Sequence, residues 1–113
     1  MRQLVTVVGT ASAVVMGAGL PARISAPTKA VSFIGTSLAL VVLDARFGDR
    51  NLVILGPGGE ELVRLGTTCG RGLIDQVLEI EGEIRAIEAT PSGDFQARLD
   101  IDELSLHRVA EWR

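Results

Sequence analysis

Few side chains in this sequence are of types that do chemistry, and their spacing narrows the options further. The only histidine is His107 and the only cysteine is Cys69. One imidazole and one thiol, far apart in sequence, give neither a metal-ligand spacing nor a nucleophile–base pair. No second cysteine exists to form an intrachain disulfide, which fits a reducing compartment. Cys69 has no activating neighbour in sequence and reads as a small semi-buried residue rather than a reactive thiol. Glu79, Glu81 and Glu83 fall on one face of an extended segment. Acid–base catalysis needs carboxyls in distinct environments, and these three share one, so they read as a solvated strand face. Residues 56–59 are glycine-rich, but no Gly-Lys-Ser/Thr follows to cradle a phosphate. The expectation is a non-enzymatic protein without catalytic residues, metal, cofactor or small-molecule substrate.

The remaining candidates are cations interleaved with aromatics: Arg23, Lys29, Phe33, Arg46, Phe47 and Arg50. Cations meet phosphates, and aromatic faces stack on unpaired bases, so this mixture suits a single-stranded nucleic acid. Charge is distributed accordingly. Residues 1–74 hold seven basic and four acidic groups, a net of +3. Residues 75–103 hold nine acids and two arginines, a net of −7, and residues 104–113 add +1. A polyanion would have to meet the first part of the chain. The competing reading makes these arginines solvated turn residues and these phenylalanines core.

Positioning such a set requires a scaffold, and composition points to strands. Hydrophobic residues make up 47% of the 113 residues and aromatics only 4%. The core is therefore built from Val, Leu, Ile and Ala, and the length suits one domain spanning residues 1–113. Thirteen Gly and four Pro imply many turns. Residues 3–8 read as a first strand, which 12–16 extend past a bend at Gly9. Residues 31–34 read as a short strand within an ambiguous stretch. Residues 38–43 (LALVVL) have the continuous apolar character of a strand buried on both faces. A hairpin turn at 45–50 leads to its partner at 51–55 (NLVIL). Residues 60–65 (EELVRL) read as one or two helical turns, with acids at the start, where the helix dipole favours them, and Gly66 at the end.

The last third alternates clearly. Over residues 78–86, Leu78, Ile80, Ile84 and Ala86 are expected on one face of a single strand bent at Gly82. A turn at 90–93 follows, and Phe95, Ala97, Leu99 and Ile101 then mark a second strand antiparallel to the first. Leu104 and Leu106 extend it. The order is strand, strand, strand, short helix, strand, strand. This predicts an all-β, five-stranded OB-fold-like barrel with one short helix between strands 3 and 4.

Four segments carry a family likeness. They are Leu4-Val5-Thr6-Val7-Val8-Gly9, NLVILGPGGEELVRL at 51–65, VLEIEGEIR at 77–85, and the final strand ending Asp102-Glu103-Leu104. On these the chain resembles the bacterial single-stranded DNA-binding protein family. Its few aromatics make it similar to a divergent or primosomal-like member. The resemblance implies a cytoplasmic OB-fold that binds single-stranded DNA and assembles as a homo-oligomer. In that fold Arg23, Lys29, Arg46 and Arg50 would contact phosphates, and Phe33 and Phe47 would stack on bases.

Two alternatives stay open. The first is an assembly barrel that binds protein without nucleic acid, because residues 30–43 are apolar enough to need a covering subunit. Trp112 would then be an anchor in a partner's pocket. The second is a membrane-associated or exported protein, because residues 3–22 carry no charge between Arg2 and Arg23. That run is rich in Gly, Ala, Ser and Thr, and its valines suit strands, so the expectation is strands rather than a targeting segment.

Overall fold

A computed structural model of the chain describes residues 4–8, 13–15, 21–23, 28–34, 38–44 and 50–112. Eleven strands lie within these residues: β1 (Leu4–Val8), β2 (Ala13–Val15), β3 (Pro21–Arg23), β4 (Thr28–Ile34), β5 (Leu38–Leu43), β6 (Leu52–Leu55), β7 (Glu61–Leu65), β8 (Leu73–Ile80), β9 (Glu83–Thr90), β10 (Gly93–Asp100) and β11 (Ser105–Glu111). They form a five-stranded sheet in the order β1-β4-β5-β6-β7, a four-stranded sheet in the order β11-β10-β9-β8, and a two-stranded pair β2-β3. All pairings are antiparallel. The protein is all-β, as its sequence implies. Among the described residues no helix is long and apolar enough to cross a membrane.

The apolar run at 38–43 explains the layering. Successive side chains on a strand face opposite ways, so a strand with no polar position must be covered on both sides. Leu38, Leu40 and Val42 enter one core cluster, joined by Leu52 and Ile54 of β6. Ala39, Val41 and Leu43 enter a second cluster on the opposite face, with Val53 and Leu55. The first cluster fills the space between the two large sheets, where Ile74, Val77, Ala86 and Leu99 meet it from the four-stranded side. Truncating one such fully buried Leu or Ile to Ala costs roughly 2–5 kcal/mol. The strand expected to need a covering subunit is thus buried within the single chain.

The structure corrects three details of the sequence reading. The described strands do not close into a five-stranded barrel: β1 and β7 edge one sheet, and β11 and β8 edge the other. The expected helix is strand β7. Gly56 N–H donates to Glu60 O (2.8 Å) and Gly59 N–H to Gly56 O (2.9 Å), so this turn sends the chain back alongside β6. Val63 and Leu65 then pack on the first core cluster while Leu62 stays exposed, an alternation of period two rather than 3.6. Five residues are also too few to sustain a helix without tertiary support. Finally, residues 78–86 are not one bent strand. Glu81 (φ 53°) and Gly82 (φ 78°) both occupy the left-handed region and make a two-residue hairpin turn between β8 and β9. Leu78 therefore lies opposite Arg85, and Ile80 opposite Glu83. Ile84 and Ala86 face the core, and Leu78 and Ile80 the other side. Of the hairpin turn expected at 45–50, residues 45–49 lie outside the described residues.

One side-chain amide fastens the two sheets. Asn51, buried immediately before β6, donates from Nδ2 to Ile74 O (2.7 Å) and to Leu43 O (3.2 Å), and accepts at Oδ1 from Ile74 N–H (2.8 Å). Replacing it with Ala leaves the buried Ile74 N–H and C=O without these partners, and a buried orphan group costs about 1–3 kcal/mol. Asn51→Ala is expected to lower unfolding free energy by about 3 kcal/mol in urea titration. A loss within experimental error would remove Asn51 as the fastening.

Gly72 sets a second constraint. Its φ is +83°, and an added Cβ would stand 2.0 Å from Ala89 O and 2.8 Å from Thr90 Cα. Gly70 shares the positive φ (+77°) but has open space around that position. A left-handed non-glycine residue costs about 1–2 kcal/mol from backbone alone. Gly70→Ala should show that much in thermal melts, and Gly72→Ala distinctly more. Equal losses would mean that the crowding at β9 is relieved freely.

Candidate functional site

Three adjacent strands of the smaller sheet place Glu88, Phe95 and Arg108 on one face. Glu88 of β9 lies directly opposite Phe95 of β10. Arg108 of β11 pairs with Ala97, two residues along, after a register shift between Gln96 and Ala97. Glu88 is fully buried, and a buried carboxylate must be matched by donors. Thr68 donates both its backbone N–H, in a short contact to Oε2, and its hydroxyl to Oε1 (2.9 Å). Arg108 Nε donates to Oε1 (3.3 Å). The Arg108 guanidinium also sits 3.8 Å from the Phe95 ring centroid, a cation–π arrangement.

Through these contacts Glu88 holds the loop between β7 and β8 against the sheet. The loop is tightened further from within. Thr67 is buried and its hydroxyl donates to Arg71 O (2.7 Å), while Gly70 N–H donates to Thr67 O (3.2 Å). Beside the loop opens a cleft of about 500 Å3, lined by Arg50, Arg64, Thr67, Thr68 and Ser105, with Leu65 and Leu106 as apolar wall and Gly66 and Gly70 completing it. Arg64 pairs with Glu61 (3.0 Å), and both side chains are well exposed. An exposed pair of this kind contributes about 0–1 kcal/mol, so an anionic ligand can compete for Arg64. The guanidinium groups of Arg50 and Arg64 around one opening are donors for an anion, whereas the Thr67 and Thr68 hydroxyls already donate to Arg71 O and Glu88 Oε1.

Of the six expected nucleic-acid contacts, the structure places one in this cleft. Arg50 is exposed and lines it. Lys29 is exposed on β4, but its ammonium forms an ion pair with Asp75 of β8. Phe33 is half-buried and packs on the second core cluster. Arg23 ends β3. Arg46 and Phe47 lie outside the described residues. Trp112 is half-buried, and its backbone N–H donates to Asp94 O (2.9 Å), tying the end of β11 to the start of β10. The sequence reading missed Arg64, Thr67, Thr68 and Ser105. The one available signal was the Gly66-Thr67-Thr68-Cys69-Gly70 run, two hydroxyls framed by glycines.

Cys69 is exposed rather than semi-buried. Hydrogen bonding with the Arg71 backbone, then with the Thr67 hydroxyl, holds its thiol below the usual cysteine range; desolvation opposes them, and hydrogen bonding and charge from Arg108 add a lesser lowering. Because the thiolate is the reactive form, a lowered pKa moves reaction to lower pH. Iodoacetamide alkylation of Cys69 should show a pH midpoint below that of a free-cysteine peptide. A midpoint at or above the peptide's would contradict the assigned environment.

No protein-family model matches this sequence, and no curated protein or solved structure matches it either.

Proposed function

We propose that this protein is a non-enzymatic binding module that holds the phosphate backbone of a single-stranded nucleic acid in the cleft between the β7–β8 loop and the start of β11. The observation that carries the reading is the meeting of two guanidinium groups, Arg50 and Arg64, at one open cleft beside the β7–β8 loop. Arginine presents a planar fork that suits phosphate oxygens, and such contacts hold a phosphate without reading base identity. The basic excess of residues 1–74 agrees with this location, and the acidic stretch that follows restricts where a strand can run.

Homo-oligomerisation and a cytoplasmic site of action rest on the family resemblance, and a protein partner at Trp112 on the assembly-barrel alternative, rather than on this cleft. The described surface gives the purely apolar assembly reading little support. Its large exposed hydrophobics are Leu62 and Val109, on separate sheets, and scattered single residues are ordinary surface.

The test is fluorescence anisotropy of labelled oligo-dT at several salt concentrations, with duplex DNA as control. Binding should prefer the single strand, and log K should fall with log salt by about 0.7 per phosphate contact. Arg50→Ala and Arg64→Ala should each weaken binding and flatten that slope by about one contact's worth, roughly 0.7. Binding that is absent at low salt, or unchanged in the double variant, would end the proposal.

A further inference from the structure

We propose that Asp100, Glu103 and His107 form a binding site for a divalent transition-metal ion such as Zn2+ at the turn between β10 and β11. The site follows from strand register. Asp100 ends β10 and lies opposite Ser105, and Arg98 lies opposite His107. Directly opposed residues share a face, as do alternate residues along a strand, so Asp100, Ser105 and His107 project on the same side of the sheet. Glu103 joins them from the four-residue turn, where its N–H donates to Asp100 Oδ1 (3.0 Å). One ligand atom from each of Asp100, Glu103 and His107 lies within 4.8 Å of the others.

The chemistry of this set is specific. Two carboxylates and one imidazole match the borderline ligand preference of Zn2+, Co2+ and related ions. Three protein ligands leave room for water in the remaining positions. Metal–ligand bonds of about 2.0–2.2 Å place tetrahedral ligands about 3.4 Å apart, and rotation of the exposed Glu103 and His107 side chains closes the remaining gap. The backbone beneath does not need to move. Leu99 of β10 lies in the first core cluster, and Ile101, Leu104 and Leu106 pack on it from the turn and β11. The turn is thus anchored on one side while its ligands stand on the other. His107 Nε2 lies 3.1 Å from Ser105 Oγ. With Nδ1 on the metal, Nε2–H donates to that hydroxyl, the outer contact that orients a ligating imidazole. Two cations share this face, Arg98 and, directly opposite it, Arg85, and both are drawn toward Glu83 of β9 (3.6 and 2.7 Å).

Isothermal titration of Zn2+ into the full chain tests the site, in a Cys69→Ser background that removes the one thiol. The expected result is one ion per chain and a rise in melting temperature with added Zn2+. His107→Ala and Glu103→Gln, both at exposed positions, should each weaken binding about tenfold or more and abolish most of that thermal shift, with an unchanged circular dichroism spectrum. No binding at millimolar Zn2+, or equal affinity in His107→Ala, overturns the proposal.

Discussion

Asn51 is the point on which the two-sheet arrangement turns. Its side-chain amide meets both the N–H and the C=O of Ile74, so it imitates the pairing of a neighbouring strand across a boundary where no strand pairing exists. The same residue is bound to β5, because Leu43 N–H donates to Asn51 O (2.7 Å). Apolar packing alone would let two flat layers slide over each other. The directional amide contact selects one alignment of β8 against β6 and thereby the depth at which Ile74 and Val77 enter the core.

Glu88 plays the corresponding part on the other side of the β7–β8 connection. A carboxylate with no exposure is costly unless its oxygens are satisfied, and Thr68 and Arg108 supply that satisfaction from a loop and an edge strand. The charge thus fixes a loop that carries no core side chains of its own. The cleft, the position of Cys69 and the stacking of Arg108 on Phe95 are all consequences of where that carboxylate sits.

Parts of this architecture were legible in the sequence because the physics there is local. Six apolar residues at 38–43 admit few arrangements other than a strand covered on both faces. The Thr90-Pro91-Ser92-Gly93 turn and the alternation of Phe95, Ala97 and Leu99 are equally direct. Elsewhere local signals misled. Glu60, Glu61 and Gly66 imitate the charges and stop of a helix, while the turn at 56–60 decides for a strand. The period-two pattern of 78–86 runs unbroken through a reversal, because nothing in the identity of Glu81 announces a left-handed residue. The site was less legible still. Arg50 stood out as a cation near a turn, but Ser105 and Thr67 are 38 residues apart and meet only through the docking of the β7–β8 loop. The Asp100, Glu103 and His107 grouping likewise depends on which residue of β11 falls opposite Arg98, a register that spacing alone does not disclose.

The order of strands within the sheets bears on how the chain finds this structure. In the four-stranded sheet every neighbour in space is also the neighbour in sequence, and the same holds from β4 through β7. Among the described strands, the one pairing that skips intervening strands is β1 with β4. Each ladder therefore closes only a short loop, and little chain entropy is lost before its hydrogen bonds form. The two meanders can be assembled hairpin by hairpin, and the long-range search reduces to one encounter between two preformed surfaces.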